Sequence, residues 1–196
     1  MNVTERYVNQ MHMLEYSLNE QLLHGMRVSN LAYHLAKKLE LSEDFCYDMA
    51  VAGMLHDIGK ELVSGVVGED EERLVVEEIH YVRLHSQASY DILKAHGYSE
   101  RILETVLYHH ENYDGSGYPQ NLSGDSIPLG ARIIRVCDVY SALTTDRPYR
   151  KSFDKKAAIE LMIEDIKDFD LQIFLAFQRV LHEEEEQELS LPMLGI

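Results

Sequence analysis

Along the first hundred residues, apolar positions recur at spacings of three and four, the period of an amphipathic helix. Tyr7, Met11, Leu14, Leu18 and Leu22 form one stripe over residues 4–23, and Val28, Leu31, Ala32, Leu35 and Leu39 continue it. Ser42 with Asp44 predicts a helix start and a helix over 43–58. That segment is apolar nearly all round from Met49 to Leu55, so it is expected to be central and buried, with Gly59 ending it. Residues 64–72 read as an acid-flanked loop. Helical patterns run from Leu74 to about Ala95, closing at His96-Gly97, and again over 99–111. Residues 114–128, rich in Gly, Ser, Asn and Pro, read as a loop. Further helices are predicted over 129–145, 154–166 and 171–186, and the acidic run 182–188 reads as a solvated helix end. All four prolines lie beyond residue 118, and no alternating strand pattern, repeat or linker breaks the series. The expected fold is all-α, one compact helical domain over residues 1–196.

Composition narrows the setting. The 196 residues are 45% hydrophobic and 27% charged, too apolar for disorder and enough for a sizeable core. Asp and Glu number 34 against 18 Lys and Arg, a formal charge of −16. That balance speaks against binding DNA or RNA polymers and against docking on anionic membranes. Two cysteines, Cys46 and Cys137, make no disulfide framework, and the first ten residues carry Glu5 and Arg6 with no apolar run. No secretory leader and a reducing cytoplasm are expected. The apolar run 49–55 is too short to span a bilayer.

The chain is rich in histidine, with 10 residues, and several fall where chemistry is easier to explain than packing. His56-Asp57 ends the most apolar helix, where a carboxylate needs a cation or several donors. Asp138 faces the same difficulty, with Ile134 four before it and Ala142 four after. Arg132 and Arg135 are its bland partners, though neither shares its face well. Glu20 and His24 lie one turn apart, as a surface pair would. His85 lies on the apolar face of its helix, and His109 and His110 are adjacent. Together, Glu20, His24, His56, Asp57, His85, His109, His110 and Asp138 offer too many imidazole and carboxylate ligands for one ion. Such mixed donors suit first-row transition metals. Two or three metals a few Å apart are a device for cleaving phosphoesters.

The strings H-D-I-G-K at 56–60 and H-H-E-N-Y-D-G-S-G-Y-P at 109–119 closely resemble the HD-GYP domain, a subgroup of the HD metal-dependent phosphohydrolases. H-G-M-R-V (24–28), G-A-R-I-I-R-V-C-D-V-Y-S-A-L (130–143) and D-R-P-Y-R (146–150) continue the resemblance over about 18–178. It implies a helical domain with its metal site between central helices, and hydrolysis of cyclic di-GMP to pGpG or GMP. It implies two or three divalent transition-metal ions, iron foremost and manganese as the alternative. His24, His56, Asp57 and Asp138 match the general HD ligands, and His85, His109 and His110 match the additional ones. Glu20 matches the acid of trinuclear members, and Asp57 the bridging carboxylate. Lys60 matches a lysine that contacts phosphate or assists the leaving group, although a lysine also suits a helix C-terminus. Arg147 and Arg150 match phosphate binders, although local acids could equally hold them. Gly115, Gly117, Tyr118 and Pro119 shape the signature loop, read as a rim of the site and not a source of ligands.

The resemblance lapses over 61–76, where the family's usual landmarks are missing, so substrate choice is less fixed than metal binding. Cys137 stands where the family usually has alanine, and reads first as a small core residue. The length leaves no room for an additional sensor domain, so regulation is expected through partners, metal state or transcription, a homodimer or a signalling protein being the partner expected. The alternatives to a cyclic di-GMP phosphodiesterase are an HD hydrolase for another nucleotide and a catalytically silent binding module.

Overall fold

In a computed structural model, residues 3–60, 74–146 and 151–190 are described, with side chains for 19–60, 83–146 and 151–183. The described residues are helical without strands. They form α1 (Val3–Lys38), α2 (Glu43–Leu55), α3 (Leu74–Ala95), α4 (Glu100–Tyr108), α5 (Leu129–Leu143), α6 (Lys155–Glu164) and α7 (Leu171–Ser190). Short 3₁₀ turns occupy Gly124–Ser126 and Ile166–Asp168. The loop expected at 64–72 lies outside the described residues, save for the fact that α3 begins at Leu74, where the pattern placed it.

Caps set several of these boundaries. Ser42 Oγ accepts from Phe45 N at 3.3 Å, Ser99 Oγ from Ile102 N at 3.4 Å and Asp154 Oδ1 from Ala157 N at 2.8 Å. Each supplies an acceptor for an N–H that the first helical turn leaves unpaired. At the other end of α3, Gly97 takes φ of 76°, ending the helix at the predicted place.

Two helices stop sooner than their apolar patterns suggest. α2 ends at Leu55, not 58, and α4 ends at Tyr108, not 111. α2 is also less enclosed than expected. Cys46, Met49, Ala52 and Gly53 are buried, whereas Ala50, Val51, Met54 and Leu55 are half-buried, so only one side of the helix is fully enclosed.

α1 packs most extensively on α2 and also on α5 and α7. The core gathers Val28, Leu35, Met49, Val106, Ile134, Phe174 and Phe177 between these helices. The Phe177 ring meets Tyr140 of α5 edge-on, with centroids 5.2 Å apart. Cys137 is fully buried in the same core, as a small apolar residue would be, and burial pushes its thiol well above the usual range. Among the described residues no helix is long and apolar enough to cross a membrane.

Phe177 has no exposed surface, so truncating it leaves a cavity. Phe177→Ala is expected to cost about 3–5 kcal/mol. At about 2–4 °C per kcal/mol for a chain of this size, Tm falls by about 6–20 °C. Thermal unfolding followed by circular dichroism measures it. A loss under 2 °C would show that the core closes over the gap (about 0.5–1 kcal/mol).

Candidate metal centre

Five segments deliver seven donor side chains to one place. His24 comes from the middle of α1, His85 from α3 and Asp138 from α5, while His56 and Asp57 follow the end of α2 and His109 and His110 follow the end of α4. Ending α2 and α4 early is what brings these last four in. His56 Nδ1 lies 2.8 Å from Gly53 O and His109 Nδ1 2.6 Å from Val106 O, both within donating distance of a carbonyl the helix end leaves free. With a proton on Nδ1, each Nε2 faces the site, where a bound cation would take the place of a second proton. His24 Nδ1 lies 3.1 Å from Ser141 Oγ, which orients the third ring in the same way.

The donors fall into two groups, Asp57 with His85, His109 and His110, and His24 with His56 and Asp138. Asp57 joins them. Its Oδ2 lies 3.3 Å from His56 Nε2 and 3.9 Å from His24 Nε2. Its Oδ1 lies 3.2 Å from His85 Nε2 and 4.0 Å from His109 Nε2. On the first side Asp138 Oδ1 is 3.0 Å from His24 Nε2 and 3.7 Å from His56 Nε2. On the second, His85 Nε2 is 3.1 Å from His110 Nε2 and 3.4 Å from His109 Nε2.

Electrostatics mark the same division. Burial disfavours a charged His56, but Asp57 and Asp138 outweigh it and lift its pKa to about 10. Burial works against both carboxylates as well. For Asp57, His56 then outweighs it and holds the carboxyl well below the usual range, and for Asp138 His24 and His56 do the same. On the other side, burial and then its histidine neighbours hold His109 well below 6.5. Burial, with His85 and Arg135 adding to it, takes His110 down to about 3 against the pull of Asp138. Neutral imidazole is the form that binds a metal.

The donors fit divalent cations. His56 Nε2 and Asp57 Oδ1 are buried and make no hydrogen bond, and each is aimed into one of the groups. Three imidazole nitrogens meeting within 3.4 Å of His85 Nε2 repel one another through their lone pairs unless a proton or a cation lies between them.

Neither Arg132 nor Arg135 is placed on Asp138, in keeping with the faces they occupy. Arg132 pairs instead with Asp170 at 2.7 Å and Asp125 at 2.8 Å, and Arg135 Nε donates to Asn112 Oδ1 at 3.0 Å. Glu20 lies half-buried one turn before His24 and belongs to neither group. Lys60 Nζ reaches Asp57 Oδ2 at 2.5 Å, with its side chain 41% exposed, so its head is at the mouth of the site. Arg147 and Arg150 lie outside the described residues. In the signature loop the Tyr118 ring stacks on His110 at 4.7 Å, and Tyr118 N donates to His110 O.

A family model described as HD domain matches residues 8–173. The chain belongs to the HD domain family. HD-domain phosphohydrolases bind divalent metals, and the His/Asp cluster supplies donors of that kind. A cyclic di-GMP phosphodiesterase of Pseudomonas aeruginosa is 39% identical over 79% of this chain and 38% of its own length. A 3'3'-cGAMP-specific phosphodiesterase of Vibrio cholerae is 35% identical over 77% of this chain and 36% of its own. The chain thus spans well under half the length of these curated relatives. In fold it resembles an HDG"Y"P protein from Bdellovibrio bacteriovorus, with a TM-score of 0.67 at 19% identity over 83% of this chain and 52% of that one.

Two close approaches hold this HD site together. A Cβ on Gly59 would lie 2.4 Å from His85 O and 2.6 Å from Ser89 N, so only glycine lets the turn after Asp57 press against α3. Gly59 N donates there to Ser89 Oγ at 2.9 Å. A Cβ on Gly117 would lie 2.2 Å from Asn112 N.

Sequence reasoning passed over Glu111, which proves to be the pin of the signature loop. It is 2% exposed, and its two oxygens accept from Gln120 N at 2.7 Å and Leu122 N at 3.0 Å. Its only sequence signal is an acid beside two adjacent histidines. Glu111→Gln keeps the shape but turns an amide toward one of those N–H groups. It is expected to cost about 1–3 kcal/mol and to speed hydrogen exchange at the Gln120 and Leu122 amides. Unchanged exchange at both amides would count against this role.

Proposed function

We propose that this HD domain, taken as one unit over residues 1–196, is a cytoplasmic metal-dependent phosphodiesterase. Its substrate is cyclic di-GMP, opened to pGpG or on to GMP. One observation carries the reading: a single buried carboxylate, Asp57, turns one oxygen to each of two imidazole-rich groups. That arrangement suits a pair of ions acting on one phosphodiester. The activity of the curated relatives supports the substrate.

One ion would be held by His24, His56, Asp57 and Asp138, the other by Asp57, His85, His109 and His110. Glu20, beside His24, would serve a third. The mixture of imidazole and carboxylate suits first-row transition metals, and the resemblance to the HD-GYP subgroup points to iron, with manganese as the alternative. Such ions supply Lewis acidity, which lowers the pKa of water and offsets charge on the phosphate. The chain's residues do the rest. Gly53 O, Val106 O and Ser141 Oγ fix the ring orientations, so no reorganisation is needed during turnover. Lys60 Nζ, at the mouth beside Asp57 Oδ2, would hold a phosphate oxygen or give a proton to the departing ribose oxygen. Arg147 and Arg150 would grip phosphate through their forked guanidinium groups.

A second reading, another cyclic dinucleotide such as 3'3'-cGAMP, is favoured by the relative that acts on it and by the unusual sequence of 61–76. Turnover of both dinucleotides by protein purified without oxygen, with elemental analysis, compares the two. No turnover of either by metal-loaded protein would overturn the enzymatic reading.

Asp57→Ala should remove metal from both groups. Activity should fall by more than the about 10–100-fold that loss of an outer partner costs. Full turnover by Asp57→Ala would exclude its bridging role. Glu20→Gln keeps shape and drops a charge. It is expected to retain two ions, lose a third and turn over more slowly without unfolding. Identical metal content in wild type and Glu20→Gln would remove the third site, or its dependence on Glu20.

A further inference from the structure

The rim beside His110 holds a cation whose arrangement neither the core nor the metal donors require. Arg83 lies on α3 two residues before His85 and is exposed. Its guanidinium carbon sits 5.3 Å from the centre of the Tyr118 ring. That ring in turn stacks on His110, at 27° between planes. Arg83, Tyr118 and His110 therefore form a continuous row from the rim to the second group of donors. The other arginines described in this region have partners that explain them: Arg132 its two aspartates and Arg135 the Asn112 carbonyl. Among the described residues Arg83 makes no ion pair, in a chain where acids outnumber bases 34 to 18. An arginine lying along an aromatic ring keeps its forked donors available while its rotamer freedom is reduced.

A cyclic dinucleotide carries two phosphodiesters on one ring. When one lies at Asp57, the other must fall outside the donor groups, near the rim. We propose that Arg83, shelved on Tyr118, binds the second, uncleaved phosphodiester and so selects substrates with two phosphates over those with one. This rests on the cyclic dinucleotide reading. Bidentate pairing of guanidinium with phosphate oxygens suits the role. No bond is made or broken there, so Arg83 is a positioning and specificity residue.

The test compares wild type, Arg83→Ala and Arg83→Lys, metal-loaded and of verified metal content, on cyclic di-GMP and on bis(p-nitrophenyl) phosphate, which has one phosphodiester. Equilibrium dialysis of cyclic di-GMP at low temperature gives binding directly. Arg83→Ala should lower the ratio of kcat/KM for cyclic di-GMP to that for the one-phosphate substrate by about tenfold or more, through KM, and weaken binding to match. Arg83→Lys should fall between, keeping charge but losing the fork. An equal fall on both substrates would mean that Arg83 merely supports the site, and an unchanged ratio that it touches no second phosphate. Either result overturns the proposal while leaving the phosphodiesterase reading standing. Wild-type protein that neither binds nor turns over cyclic di-GMP, yet cleaves the one-phosphate substrate, would instead remove the cyclic di-GMP reading and this proposal with it.

Discussion

A carboxylate taken out of water must be paired, and Asp57 is the group around which this molecule is arranged. It faces His56 and His24 through one oxygen and His85 and His109 through the other. Those contacts bind four separate stretches of chain to one point. α1, the end of α2, α3 and the end of α4 cannot shift independently without leaving a buried charge unmatched. The apolar core supplies the rigidity. Val28 lies one turn from His24, and Ile134 one turn from Asp138, both with no exposed surface. The helix faces that pack the core therefore also aim the donors.

Helix ends contribute something that helix interiors cannot. The final turn of α2 and of α4 leaves carbonyls without an N–H partner, and His56 and His109 take up Gly53 O and Val106 O through Nδ1. One contact satisfies the carbonyl, fixes the tautomer and turns Nε2 inward. A histidine kept within the helix would find its i−3 carbonyl already engaged by the N–H of the residue after it. His110, the next residue, follows His109 into the site, with ring centroids 4.0 Å apart. The sequence His-His at a helix end thus gives two inward donors from one backbone turn.

Much of this was legible in residue order. The apolar period located the helices, because each needs a face to bury, and a buried Asp138 without a good arginine pointed to histidine or metal. Helix ends were less legible. The helical pattern reads on to Ile58 in one case and past His109 in the other, while the stop coincides with tertiary contacts, with Gly59 against α3 and the loop after His110 pinned by Glu111. Such contacts span about thirty residues in one case and about ten in the other, beyond the reach of local periodicity. Glu111 was missed for the same reason: its partners are backbone N–H groups, which carry no residue-type signal.

The charge of −16 looks ill-matched to an anionic substrate until its distribution is considered. Several acids are engaged far from the site: Glu43 with Lys37, Asp48 with Arg101, Asp125 and Asp170 with Arg132. At the mouth stand Lys60, its head against Asp57, and the exposed Arg83, and divalent ions at the donor groups would add positive charge behind them. Close charges in a partly dry cleft act more strongly than the same charges spread over a wet surface, where salt screens them beyond about 8–10 Å. The attraction felt by an anion near the donor groups would thus be set by the charges gathered there and not by the sum over the chain. Donors and rim also divide the work: the donors answer to the buried carboxylate and have little freedom to vary. The rim is under no such constraint, because Arg83 and Tyr118 are not among the donors and answer to no buried charge.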